Sequence, residues 1–404
     1  MLFFGIDWSC DHHDVCIRSE AGECLSRLRI EHSAEGFRRL EAERRKFAVP
    51  AHACLVGIET AYNLLVDYLV DLDYVVYIIA PKATDGYRNR QRLSGAHDDA
   101  SDAALLADIV RTDRASHRQW RANAPLTQQI LGQVRLIEVL RQSIQRQTNQ
   151  LREALVRTYP AALDTFKDLN AQIALHFLAA YPTAQEAAEL SGEQFAAFCR
   201  EHAYYRKDVA LRYAQLQNTV PTAHPAVVQA QRNQVRVLAQ VLLGEVRYRL
   251  EALTELRSLF AQHPDAPIFD SLPGAGDLLA PALLAKFGDD RTRFPVAADV
   301  QALAGTCPVT ARSGRVTDIR FRKGCDHEFR RIAQAFALSS VGQSGWAQAS
   351  WQQVRQHSRS DSHATRILAN RWLAIIWKLW QTRCPYDEAY YLQQRSRRCQ
   401  PKKV

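Results

Sequence analysis

Two acidic residues, Asp99 and Asp102, stand three apart at the opening of an alanine- and leucine-rich run, residues 95–108. Helical spacing puts both carboxylates on one face of a first turn. Taken alone they read as solvated caps, because helix N-termini favour acidic side chains. Two further carboxylates change that reading. Asp7 closes the apolar run Leu-Phe-Phe-Gly-Ile-Asp, and Glu59 closes Ala-Cys-Leu-Val-Gly-Ile-Glu. An ionised carboxylate at the end of a buried strand is costly unless something compensates it, and a divalent cation is the obvious candidate. Four acidic groups in one site cannot all ionise at neutral pH without counter-charge. Hard oxygen ligands in that number suit Mg2+, with Mn2+ as the second candidate. Two such ions clamp the attacking and leaving oxygens in phosphoryl transfer.

A second group of residues lies near the other end of the chain. Leu272-Pro273-Gly274-Ala275-Gly276-Asp277 leads into a helix expected over 278–287. A Pro-Gly-x-Gly turn into a helix is the pattern of a helix-hairpin-helix element, whose backbone amides can hold a phosphate. The same pattern also occurs as a plain tight turn. Residues 306–315 read as a loop carrying Arg312, Ser313, Gly314 and Arg315, with Arg320, Arg322, Lys323, Arg330 and Arg331 close behind. A Ser-Gly loop among so many cations reads as a nucleic-acid phosphate site, against the alternative of a solvated basic face. Nucleic-acid contacts are therefore expected at Gly274, Gly276, Arg312, Arg315, Arg320, Arg322, Lys323 and Arg330. Cys325 and His327 are the nearest thing to a metal pair and are not read as one.

The elements that must position these groups follow from hydrophobic patterning. Residues 2–8, 13–18 and 24–30 read as a β-meander turned at Ala21-Gly22-Glu23, and Ser33 caps a helix to about Phe47. Residues 53–59 are a continuous apolar run, the mark of a strand covered on both faces. A helix over 63–72 and a strand over 75–80 follow. Three meander strands and then alternating helix and strand predict an α/β layer with a mixed sheet. Asp7 and Glu59 sit at the carboxyl ends of its strands, where open α/β sheets place their active sites.

From Pro125 the composition shifts to glutamine, arginine and leucine. Ile130, Ile137, Ile144 and Leu151 are seven apart, which predicts a coiled-coil helix ending at Tyr159-Pro160. Shorter helices are expected over 161–220, and a second long helix over 225–262. The two long helices form an antiparallel hairpin, an intermolecular coiled coil, or both, and oligomerisation is the favoured role. Residues 265–269 read as a linker. Helices are expected over 299–305, 326–342 and 364–381, the last with Trp372, Trp377 and Trp380 as core. The tail from Arg395 to Val404 reads as disordered and basic. The expected division is a mixed-sheet domain over 1–120, a helical coiled-coil region over 121–265, a mostly helical C-terminal domain over 266–392 and a tail over 393–404.

Bulk properties agree. The chain has 404 residues and a formal net charge of +9, which favours a polyanionic partner. Hydrophobic residues make up 47% and charged residues 24%, an ordinary globular balance. No run reaches the roughly 18 apolar residues of a membrane span. No basic region precedes the first apolar residues, so no signal peptide is expected. Nine cysteines without a Cys-x-x-Cys pair argue against a disulfide framework or a zinc ribbon, and for a reducing cytoplasm.

Three segments, Gly5-Ile6-Asp7, Gly57-Ile58-Glu59 and Asp99-Ala100-Ser101-Asp102-Ala103, resemble the DEDD-type transposases, or recombinases, of the insertion-sequence 110 family. The C-terminal likeness rests on Leu272 to Gly276, Phe287-Gly288-Asp289, Phe294, Leu303-Ala304-Gly305, Pro308, Ser313-Gly314 and Lys323-Gly324. The helical middle is similar only in character. The resemblance implies a ribonuclease H-like (RuvC-like) N-terminal domain, a coiled-coil middle and a C-terminal transposase domain. It implies that Asp7, Glu59, Asp99 and Asp102 bind magnesium and that Ser313 is the nucleophile. It further implies a homo-oligomer, a dimer or tetramer, in which the acidic site of one subunit faces the serine domain of another. The implied partners are double-stranded donor and target DNA and a structured non-coding guide (bridge) RNA, in the bacterial cytoplasm at the nucleoid. His97 stands where the family often has a basic residue, and Asp98 is a fifth acid beside the tetrad.

The mechanism expected from this likeness is serine attack on a DNA phosphodiester, giving a phosphoserine and a free 3′-hydroxyl that later rejoins a strand. Serine needs activation for such a role, and Arg312 and Arg315 would stabilise the charged phosphorus centre. Two alternatives stand beside it. One is a metal-dependent nuclease for branched DNA, in which water attacks. The other is a non-enzymatic nucleic-acid-binding scaffold with the carboxylates as caps.

Overall fold

The computed structural model describes residues 1–61, 63–91, 98–218, 223–313 and 316–399. The chain divides into two compact units, Met1–Ala122 and Asn123–Val404.

The first unit is built on β1 (Leu2–Trp8), β2 (His12–Arg18), β3 (Cys24–Glu31), β4 (Cys54–Ile58) and β5 (Val75–Ile78). The strand order is β3-β2-β1-β4-β5. β1 pairs antiparallel with β2 and β2 with β3, whereas β1, β4 and β5 run parallel. The expected mixed sheet is therefore present. The helices are α1 (Ala34–Arg45), α2 (Leu64–Asp71), α3 (Pro81–Gln91) and α4 (Asp99–Asp113). Side chains alternate across a strand, and β1 shows why both of its faces are apolar. Leu2, Phe4 and Ile6 join Phe37 and Leu40 of α1 and Leu65, Val66 and Leu69 of α2 in one core. Phe3 joins Leu105, Leu106, Ile109 and Val110 of α4 on the opposite face. Helix α3 was not anticipated from the sequence.

The second unit is mostly helical. It opens with α5 (Pro125–Thr158), followed by α6 (Pro160–Thr165), α7 (Gln172–Ala180), α8 (Ala184–Ala188), α9 (Gly192–Glu201), α10 (Val209–Leu216) and α11 (Pro225–Ala261). Then come α12 (Ala266–Asp270), α13 (Gly276–Phe287), α14 (Ala297–Leu303), β6 (Val309–Ser313), β7 (Val316–Arg320), α15 (His327–Ser340), α16 (Gly345–Gln356), α17 (Asp361–Thr382) and α18 (Glu388–Cys399).

The long helices α5 and α11 pack on each other antiparallel. Ile130, Val134 and Ile137 share a core with Ala252, Leu256 and Phe260. Further along α5, Ile144 and Leu151 share a second core with Val235, Ala239 and Leu242. Ser143 Oγ and Gln147 Nε2 both donate to Glu245 Oε1, each at 2.7 Å. The first core continues through α12 to α17, with Trp372 and Trp380 fully buried and Trp377 partly so. These tryptophans are core, as their spacing suggested.

Three expectations are corrected. Residues 266–270 are a helical turn rather than a linker, because Ile268 and Phe269 are buried and Pro267 suits a first helical turn. The segment read as a loop over 306–315 contains β6, which pairs antiparallel with β7. β-Branched Val309, Thr310, Val316 and Thr317 favour that pairing. The tail is helical as far as Cys399 in α18; residues 400–404 lie outside the described residues. Helix α16 was also not anticipated.

Candidate acidic site and basic hairpin

The acidic site starts with two glycines. Gly5 and Gly57 are register partners on β1 and β4. A methyl group at Gly5 would lie 1.9 Å from the Ala103 carbonyl oxygen and 2.3 Å from the Ala107 nitrogen. One at Gly57 would lie 2.7 Å from the Leu106 carbonyl oxygen. The backbone of α4 thus rests directly on the backbone of the sheet, a separation only glycine permits. Asp7 and Glu59 each follow their glycine by two residues, so they project toward the same face. The close seat of α4 brings its first turn to them.

Asp98 caps α4. Its Oδ1 accepts from the Ser101 amide at 2.7 Å in a reciprocal capping box. Asp99 and Asp102 occupy the first turn behind it. His97 lies outside the described residues.

The electrostatics of Asp7 register this convergence. Its carboxyl is pushed up to about 6, first by burial and then by Asp99, Asp102, Glu59 and Asp14. Burial and neighbouring like charge both disfavour the ionised form. Asp99, Asp102 and Glu59 thus all stand near enough to Asp7 to raise it, but of the four only Asp99 belongs to the metal-capable group found among the described residues. Asp14 is an addition that sequence reasoning missed. It lies directly opposite Asp7 on β2, and the hairpin register is the signal that reveals it. His12 is a second addition. His12, Asp14 and Asp99 offer ligand atoms within 4.8 Å of one another, a group able to hold a metal ion.

Two arginines supply resident counter-charge, and neither was anticipated. Arg29 Nη2 donates to Asp14 Oδ2 at 2.7 Å and to Asp99 Oδ2 at 3.5 Å, and its Nε donates to Asp14 Oδ2 at 3.1 Å. Arg88 on α3 donates to Asp102 Oδ1 at 2.9 Å and to Asp85 Oδ1 at 2.6 Å. Five carboxylates therefore face two guanidiniums. The excess of negative oxygen ligands fits a divalent cation.

In the second unit, Ser313 closes β6 and pairs with Val316. Arg315 lies outside the described residues. Arg312 Nε donates to Thr317 Oγ1 across the hairpin at 3.3 Å, and Arg320 pairs with Asp318. Lys323 follows β7 and is exposed. Arg330 stands 4.4 Å from the Phe321 ring centroid and donates to the Arg322 carbonyl. Gly274 has φ +77°, and a methyl there would meet the Ser339 carbonyl oxygen at 2.8 Å. Ser339 Oγ donates to the Gly274 carbonyl at 2.7 Å. Gly274 is thus a tight packing turn against α15. Gly276 has φ +53° with open space around it. Asp289 accepts from Thr127 Oγ1 at 2.8 Å and from the Ala124 amide at 2.7 Å, so it anchors the start of α5. Cys325 and His327 are not part of a metal-ligand group among the described residues, and eight described cysteines are free thiols. Among the described residues, no helix is long and apolar enough to cross a membrane.

Comparison with known proteins covers both units of the chain. Residues 4–160 match the DEDD transposase family of insertion sequence 110, and residues 266–352 match a family described as transposases of IS116, IS110 and IS902. A protein of the IS117 mini-circle of Streptomyces coelicolor, named as its transposase, is 31% identical over 401 residues, covering 96% of this chain and 95% of its own. The protein y4uE of Sinorhizobium fredii, also named as a transposase, is 29% identical over 208 residues, 51% of this chain and 58% of its own. A 42 kDa protein of insertion element IS900 from Mycobacterium paratuberculosis is 27% identical over 302 residues, 72% of this chain and 73% of its own. The near full-length likeness, with both halves matched in order, shows that the chain belongs to the IS116/IS110/IS902 family of transposases.

Proposed function

We propose that this transposase is an RNA-guided recombinase of an insertion sequence that exchanges DNA strands through a phosphoserine on Ser313. The observation that carries the acidic half of this reading is the Asp7 carboxyl, raised to about 6 by burial and by Asp99, Asp102, Glu59 and Asp14. The strand order β3-β2-β1-β4-β5, antiparallel on one side and parallel on the other, supports a ribonuclease H-like, RuvC-like domain. Asp7, Glu59, Asp99 and Asp102 would hold Mg2+ or Mn2+, which when bound polarises a DNA phosphodiester.

Ser313 Oγ attacks phosphorus, forming the Oγ–P bond as the bond to the 3′ oxygen breaks. The serine proton is passed on and the 3′ oxygen leaves as a hydroxyl. That hydroxyl later attacks the phosphoserine of the exchanged strand and releases the serine, so no external energy source is needed. Arg312 and Arg315 stabilise the charge that develops on phosphorus. Gly276, Arg320, Arg322, Lys323 and Arg330 hold the nucleic-acid backbone, with the Gly274 turn presenting Gly276. The partners are double-stranded donor and target DNA, a structured non-coding guide RNA and further copies of the chain, in a dimer or tetramer within the bacterial cytoplasm at the nucleoid.

The test is a covalent trap. Ser313→Ala should abolish the protein–DNA adduct on a nicked suicide substrate. An undiminished adduct would sink the serine role, and no adduct from the unaltered protein would favour a hydrolytic nuclease. Sequencing the RNA that copurifies with the chain tests guidance; recovery of only bulk cellular RNA would remove it.

A further inference from the structure

The second unit contains a cavity of about 640 Å³ between the end of β7 and the start of α17. Arg320, Arg322, Arg359, Arg366 and His363 line it, and no Asp or Glu is among the described lining residues. His363 Nδ1, Arg322 Nε and Arg366 Nε are each buried without a hydrogen-bond partner among the described residues. The amino end of α17, capped by Ser360, opens into the same space. Its one acidic first-turn residue, Asp361, is engaged by Arg355. The Arg366 guanidinium is held below its usual range, first by burial and then by the charge of Arg330. Asp318 already balances Arg320, but Arg322, Arg359 and Arg366 meet no carboxylate among the described lining residues, and their repulsion is what an anion would relieve.

The other wall is apolar. Pro308, Ile319, Phe321 and Ile367 face the cavity. Phe321 is 48% exposed, and Arg330 and Arg366 each stand 4.4 Å from its ring centroid. Two guanidiniums on one ring fix its position, because each is attracted to the π-system. A phosphate alone would fill only a small part of the space and leave the apolar wall unused. A cavity of this size with a few convergent polar groups suits a ligand as large as a nucleotide.

The geometry points to a binding pocket for one unpaired nucleotide, with its phosphate on Arg322, Arg359 and Arg366 and its base against Phe321 and Ile367. An unpaired base is what such a pocket can take, since a base stacked within a duplex presents no face to Phe321. DNA and RNA share this chemistry. The inference shares Arg320 and Arg322 with the proposed nucleic-acid surface, and to that extent rests on that reading. It needs neither the acidic site nor Ser313.

The experiment measures binding of the full-length chain to three probes: a paired DNA duplex, the same duplex with one unpaired 2-aminopurine nucleotide, and an RNA duplex with the same bulge. The unaltered protein should prefer a bulged probe over the paired one by about tenfold, with a change in 2-aminopurine fluorescence. Phe321→Ala should remove the preference and the fluorescence change while leaving paired-duplex binding within about twofold. Arg359→Gln should weaken the bulged probe alone and guards against misfolding in the first variant. The DNA and RNA bulges tell which source is bound. Equal affinity for paired and bulged probes would overturn the pocket and leave the nucleic-acid reading intact. Failure to bind any probe would overturn both.

Discussion

Asp7 and Asp14 face one another across the β1–β2 ladder, on the side of the sheet that α4 covers. Like charges opposed in this way destabilise a sheet. Arg29 engages Asp14, while Asp7 is left with its carboxyl raised to about 6. Such a pair is costly to the fold and useful to a cation.

Asp7→Asn should therefore stabilise the protein while ending its chemistry. A group raised in the folded state contributes stability below its unfolded value, near 4, and loses it as pH rises through 6. At pH 7.5 that loss is complete, so removing the charge should gain about 1–2 kcal/mol after allowance for solvent screening. Denaturant unfolding without divalent ions checks the gain, and a strand-exchange assay checks the loss. A less stable Asp7→Asn protein would contradict the crowding of carboxylates.

The same carboxyl sets a pH dependence for the cation. Protons compete for Asp7 below about 6. Thermal stabilisation by Mg2+ or Mn2+ should be full at pH 7.5 and fall steeply between pH 6.5 and 5, in ordinary thermal melts with and without chelator. A flat profile would place the cation elsewhere.

Arg88 occupies Asp102 at 2.9 Å and so competes with any cation there. Arg88→Gln should raise apparent Mn2+ affinity by about three- to tenfold, since removing a like charge favours the ion. It should lower stability in the absence of metal. Isothermal titration measures the first effect and unfolding the second; weaker Mn2+ binding would mean that Arg88 organises the site.

Gly5→Ala places a methyl 1.9 Å from the Ala103 carbonyl oxygen. Backbone atoms on both sides must move, so the cost should exceed about 3 kcal/mol. Loss of folded signal from residues 1–122, read by hydrogen exchange of β1 and α4, is the expected outcome. Retention of native exchange protection would show that α4 seats further from the sheet.

His13 opposes Asp7 in its pH response. It is fully buried, its Nε2 lies 3.0 Å from His32 Nδ1, and burial followed by His32 and His12 lowers it to about 4. A lowered histidine contributes stability above about 6.5 that is lost as pH falls toward 4. His13→Phe should spare about 2 kcal/mol of that acid loss, measured by unfolding at pH 4.5 against pH 7.5. Equal acid sensitivity in both proteins would remove His13 as a cause.

Much of this protein was legible in the chain itself. Apolar periodicity located every strand of the five-stranded sheet, both long helices and the tryptophan core, because period two and period 3.6 record which face of an element is buried. Asp7 and Glu59, at the ends of apolar runs, mark a candidate acidic site in the sequence itself. Periodicity says nothing about which elements meet, at what register or how closely. Asp14 and His12 joined the site only through the β1–β2 register, and Arg29 and Arg88 only through β3 and the unanticipated α3. The seat of α4 on Gly5 and Gly57 is a contact between residues about fifty to one hundred apart in sequence. The hairpin of β6 and β7 and the cavity beside it likewise depend on pairings made after the chain has folded. Local pattern determined which residues could do chemistry; long-range packing decided which of them stand near one another.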